Sequence, residues 1–138
     1  MRRSLLFVLI ISLFACSKNE AQVVKVNTQM PPLRFRYLAL GDSYTIGTAI
    51  GPEKAYPQIF ADSARQEATI DSLFVQVIAQ NGWTTADLKN GINAAQPDSN
   101  FNLVTILIGV NNQYQRRSIS EYENEFSQLL HRAIAFAD

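Results

Sequence analysis

From residue 33 onward, three apolar runs alternate with three stretches of helical periodicity. Phe35-Arg36-Tyr37-Leu38-Ala39-Leu40 is strand-like and stops at Gly41. Leu73 to Ala79 is a second strand, rich in Val, Phe and Ile. Asn102 to Ile108 is a third, and its almost uniform apolarity suits a parallel strand covered on both faces. Between the first two, Tyr56, Ile59, Phe60 and Ala64 recur at helical spacing and predict a helix over 56–68, with Pro57 in its first turn. Thr84 predicts the cap of a short helix over 85–90, with Asp87 in its first turn and Gly91 as its stop. After the third strand, Ser118 and Glu121 have the spacing of a capping box. Tyr122, Phe126, Leu129, Leu130, Ala133 and Ala137 then share one helix face.

The order β-α-β-α-β-α, with crossovers of this length, predicts an α/β domain with a parallel sheet. Residues 133–138 carry neither Gly nor Pro as a stop signal. The last helix is therefore expected to lead into another strand, and the domain reads as C-terminally incomplete.

Composition narrows this picture. With 138 residues and 47% hydrophobic composition, the chain has enough apolar material for one cored domain and not for two. Twelve basic residues balance twelve acidic ones, so no basic patch points to nucleic acid. Arg116-Arg117 is the one internal basic pair, and a solvated loop accounts for it.

The first residues form a separate pattern. Arg2 and Arg3 precede an apolar run from Leu5 to Ala15. That run is too short to span a bilayer, which takes about 20 apolar residues, and it suits an export signal. It ends Leu13-Phe14-Ala15-Cys16, which resembles a bacterial lipoprotein signal. Segment 1–15 is then a signal peptide and Cys16 the lipidation site, giving a protein anchored in the periplasm or at the cell surface. Cys16 is also the sole cysteine, so no internal disulfide forms. Residues 16–32 are polar, close on Pro31-Pro32, and read as a tether to a domain over 33–138.

Candidate chemistry lies where the strands end. Ligands of open parallel sheets bind outside the carboxyl ends of the strands. The first strand exits into Gly41-Asp42-Ser43, the second into Gln80-Asn81-Gly82, the third into Gly109-Val110-Asn111-Asn112. One sheet edge would thus present a hydroxyl, a glycine N–H and a carboxamide, which together supply a nucleophile and oxyanion donors. Each has a plainer reading: Asp42 and Ser43 as helix caps, Gly82 and Asn111 as turn residues. No His/Cys/Asp/Glu cluster has metal-ligand spacing, and Gly41-Asp42-Ser43 lacks the lysine of a phosphate loop. Neither metal nor cofactor is expected.

These blocks resemble the SGNH hydrolases, the GDSL-type esterases and lipases. Gly41-Asp42-Ser43 matches the first block, Gly82 the second, and Asn111 the third. The resemblance implies a three-layer α/β/α, flavodoxin-like fold. It also implies Ser43 as nucleophile, with the N–H groups of Ser43 and Gly82 and the Asn111 side chain as oxyanion hole. Asp42 would line the binding site of a small-molecule, glycan or lipid ester. Two departures stand out. Asn112 occupies the place where the third block usually has an aspartate, and it is expected to alter local hydrogen bonding without removing the donor. The Asp-x-x-His block, which supplies the base and its orienting acid, has no match; His131 has Gln128 three residues before it and reads as a helix-surface residue. The alternative function is a non-catalytic surface lipoprotein that binds acylated glycans or lipids.

Overall fold

The computed structural model describes residue 31 and residues 33–137. The signal segment, Cys16 and all of the tether but Pro31 lie outside the described residues. The elements run β1 (Leu33–Gly41), α1 (Ser43–Ile46), a 3₁₀ turn (Pro52–Lys54), α2 (Tyr56–Ala64), β2 (Ile70–Ala79), α3 (Thr85–Ala95), β3 (Leu103–Leu107), α4 (Val110–Tyr114) and α5 (Ile119–Ala137).

The strands form one parallel sheet in the order β2-β1-β3. The central strand alternates between two cores, as pleating requires. Leu38 and Leu40 point to one face, into a cluster with Ile78, Leu88, Ile92, Phe101 and Leu129. Phe35 and Tyr37 point to the other, where their rings meet Phe60 of α2 at centroid distances of 6.2 and 5.0 Å. Helices thus cover both faces, in three layers: α2 on one side, α3 and α5 on the other. Leu38 and Leu40 are fully buried. Truncating either to Ala would cost about 2–5 kcal/mol, the usual range for a buried leucine.

The register fixes where the site lies. Gly41 of β1 stands opposite Ala79 of β2 and Leu107 of β3, so all three strands end in one row. Helix α5 starts near that row and runs back down the sheet. Its far end is tied to the approach of β3, where the Phe101 N–H donates to the Phe136 carbonyl at 2.9 Å.

Several sequence-based boundaries shift. Helix α2 ends at Ala64, and residues 65–69 make turns before β2. Helix α3 does not stop at Gly91; it continues to Ala95 and closes at Gln96 with φ +44. Gly91 serves packing instead, because a methyl there would overlap the Trp83 ring. On α5, Leu129 and Ala133 are buried while Leu130 is exposed, so the core face is narrower than the apolar pattern predicts. The Ser118–Glu121 box is half formed. The Glu121 N–H donates to Ser118 Oγ at 3.1 Å, whereas its carboxylate pairs with Arg117 at 3.3 Å.

Candidate active site

The first strand exit is held by local bonds. Gly41 packs so closely that an added methyl would overlap Thr45 Oγ1 and come within 2.5 Å of the Leu107 carbonyl oxygen. Asp42 then caps α1: its Oδ1 accepts from the Tyr44 N–H at 3.0 Å. The capping expectation for Asp42 is thereby realised. Ser43 is the first residue of α1 and half-buried. The opening N–H groups of a helix have no intrahelical acceptor, so the Ser43 N–H is placed to bind something else. The turn closes at Gly47, φ +70, whose N–H donates to the Ser43 carbonyl. Burial pushes the Asp42 carboxyl above its ordinary value, with the Tyr44 and Asp42 backbone N–H groups opposing that shift.

The second exit is a turn in which the Trp83 N–H donates to the Gln80 carbonyl at 3.3 Å. Gly82 sits there at φ +79, a backbone conformation that favours glycine. The space around it is open, so the conformation and not crowding selects the residue. Thr84 and Asp87 then form a full capping box at the start of α3. Bonds from the Thr84 N–H and hydroxyl hold the Asp87 carboxyl below its ordinary value.

The third exit turns at Gly109, φ +127, where a methyl would come 2.6 Å from the Tyr122 ring. Helix α4 follows at once. Asn111 Nδ2 donates to the Trp83 carbonyl at 2.9 Å, which joins the second and third exits. A carboxamide nitrogen carries two protons, so one remains for a ligand. Asn112 turns inward and is buried: its Oδ1 accepts from the Thr85 N–H at 3.0 Å, and its Nδ2 donates to Thr85 Oγ1 at 2.7 Å. Thr85 Oγ1 donates in turn to Glu125 on α5.

The sequence-derived candidates therefore divide. Asn111 and the Gly82–Trp83 turn are in direct contact, and Ser43 leaves the same row of strand ends. His131 does not join them. It is exposed on α5, its Nδ1 2.7 Å from the Ser127 carbonyl, roughly 18 Å along the helix axis from Ile119 at 1.5 Å per residue. Among the described residues no three His, Cys, Asp or Glu side chains gather as a metal site. Beside the strand ends lies a groove of about 480 Å³ with walls of Ile108, Val110, Ile119 and Tyr122 and one cation, Arg117. A smaller hollow of about 240 Å³ touches Asp42, Tyr44 and Leu107.

Thr85 and Glu125 escaped the sequence reading. Glu125 stands three residues after Tyr122 and four before Leu129, on the apolar stripe of α5. A carboxylate interrupting that stripe was the available signal.

Comparison with known proteins bears on the fold and the family. No protein of curated function matches. The solved structures similar to this chain include AlinE4, an SGNH-hydrolase family esterase, at 24% identity and TM-score 0.60; the match covers 75% of this chain and 55% of that one. They also include the psychrotrophic esterase EstA from Pseudoalteromonas sp., at 17% identity and TM-score 0.53, over 74% of this chain and 55% of that one. The chain thus spans a little over half the length of these structures, and shares their fold. The profile of the GDSL-like lipase/acylhydrolase family matches residues 39–137. The chain belongs to that family.

Proposed function

We propose that the protein is a serine ester hydrolase with Ser43 as nucleophile. The observation that carries this reading is the common row of strand ends. Gly41, Ala79 and Leu107 stand in register, so Ser43, Gly82 and Asn111 all follow from one edge of the sheet. Ser43 Oγ attacks the ester carbonyl carbon, and the carbonyl π electrons move onto oxygen. The N–H groups of Ser43 and Gly82 and the remaining Nδ2 proton of Asn111 hold that oxyanion. Collapse expels the alcohol and leaves an acyl-serine, which water hydrolyses.

A base must take the Ser43 proton and return one to the leaving alkoxide. Among the described residues no histidine stands at the strand ends; the proposal gives this role to a histidine, as in a serine triad. Without one, the same edge would bind acylated glycans or lipids and leave them intact. The apolar groove walls and exposed Tyr44, Leu107 and Val110 suit an ester with an apolar acyl group. Export as a lipoprotein through Cys16 belongs to the same proposal. It places the hydrolase on a membrane, and it rests on the Leu13-Phe14-Ala15-Cys16 junction.

Labelling by a fluorophosphonate tests the assignment. The full-length protein gains one adduct, mapped by mass spectrometry to Ser43, and Ser43→Ala gains none. Undiminished labelling of Ser43→Ala would overturn it.

A further inference from the structure

Asn112, Thr85 and Glu125 come from three separate elements, and two of them are buried. Their hydrogen bonds admit one direction. The Thr85 N–H is among the donors that α3 leaves unpaired in its first turn, and it donates to Asn112. That fixes the carboxamide: Oδ1 faces the N–H, so Nδ2 faces Thr85 Oγ1. A hydroxyl that accepts from Nδ2 has one proton to give, and it gives it to Glu125 Oε2. The relay therefore runs from amide to hydroxyl to carboxylate. Next to it, Asn111 grips the Trp83 carbonyl. Two adjacent carboxamides thus hold residues 83 and 85 from one side.

We propose that Glu125 is a positioning residue for the oxyanion hole. Through Thr85 and Asn112 it fixes the α4 turn that carries Asn111 against the turn that carries Gly82. This rests on the hydrolase reading above. Asn112 and Glu125 form a matched pair. An aspartate at position 112 would still accept the Thr85 N–H, but would compete with Glu125 for the single hydroxyl proton. Two carboxylates would then face one donor in a buried site, where an unpaired charge is costly. Replacing Glu125 with Gln as well resolves the conflict: the new amide donates to Thr85 Oγ1, and the hydroxyl proton turns to the carboxylate introduced at position 112. The relay is reversed, and every group is satisfied.

The test is a cycle in the full-length protein with kcat, KM and Tm read for each variant. Glu125→Gln alone keeps an acceptor for Thr85 but replaces a charged hydrogen bond with a neutral one, so kcat falls several-fold with KM little changed, less than in Asn112→Asp. Asn112→Asp lowers kcat by at least about tenfold with little change in KM, because displacement by a fraction of an ångström suffices. Its Tm falls by roughly 5 °C or more, as expected for a broken buried network in a domain of this size. The double variant returns both to near wild type. If Asn112→Asp does not fold, the double variant decides alone, and it must fold and turn over. A double variant no better than Asn112→Asp overturns the proposal. So does an Asn112→Asp protein that loses Tm and keeps kcat, which would make the relay structural only. Coupling in Tm without any wild-type turnover would instead overturn the hydrolase reading and leave the relay standing as a structural pair.

Discussion

The turn that carries Ser43 and the turn that carries Asn111 leave the same sheet edge, yet different bonds hold them. Around Ser43 the bonds are local. Asp42 caps Tyr44, Gly47 closes on Ser43, and the Thr45 hydroxyl finds no partner among the described residues. Around Asn111 the bonds reach across the chain, to Trp83, Thr85 and Glu125. In the proposed reading the difference follows from the two roles. The proposed nucleophile's turn is fixed mainly by its own neighbours, whereas a proposed oxyanion donor has to be placed against another strand's exit, so its support comes from other elements.

If the Ser43 turn is set by close backbone approach, crowding it should do the most damage. Gly41→Ala drives a methyl into Thr45 and the Leu107 carbonyl, neither of which can swing away. The expected cost is about 3 kcal/mol, the upper part of the overpacking range. Tm should fall by more than about 10 °C, as read by calorimetry. A Gly41→Ala protein with wild-type Tm would show that the turn tolerates far more bulk than its close contacts imply.

Asp42 sharpens the same comparison with a smaller effect. Burial raises its carboxyl above the ordinary value, so the folded state holds the proton more tightly than the unfolded one. The stability tied to that proton is fully present below the unfolded carboxyl range and is lost as pH rises through the folded value. At pH 7 the ionised group therefore works against the fold, although its Oδ1 still caps α1. Asp42→Asn keeps an acceptor without the charge. Its Tm should exceed the wild type's at pH 7 and converge with it at acidic pH. Asp42→Ala loses the cap, at about 1 kcal/mol. Parallel Tm–pH curves for wild type and Asp42→Asn would contradict the burial of that charge.

The division between local and distant bonds also explains what the sequence could show. Strand ends at Gly41 and Ala79 and the Thr84–Asp87 cap follow from residues within a few positions of one another. They were legible, as was the common edge of the three strand exits once parallel strands were inferred. Gly91 misled because its reason is the Trp83 ring above it, eight residues earlier in the chain. Asn112 is expected from the sequence to alter local hydrogen bonding, but its partner Thr85, and Glu125 beyond it, could not be named there. Pairings across 27 and 40 residues leave no periodic mark on a sequence. The four residues of α1 and the five of α4 are too short to generate a hydrophobic period.

The central claim is that Asn111 stabilises an oxyanion formed at Ser43. Steady-state kinetics of Asn111→Ala in the full-length protein, on a short-chain aryl ester, test it most directly. Loss of one oxyanion donor typically costs about 10²–10³ in kcat, roughly 2.7–4 kcal/mol. The expected result is a fall of that order in kcat with KM changed only a few-fold, and with Ser43 still labelled by fluorophosphonate. An Asn111→Ala protein that folds and keeps wild-type kcat would contradict the account.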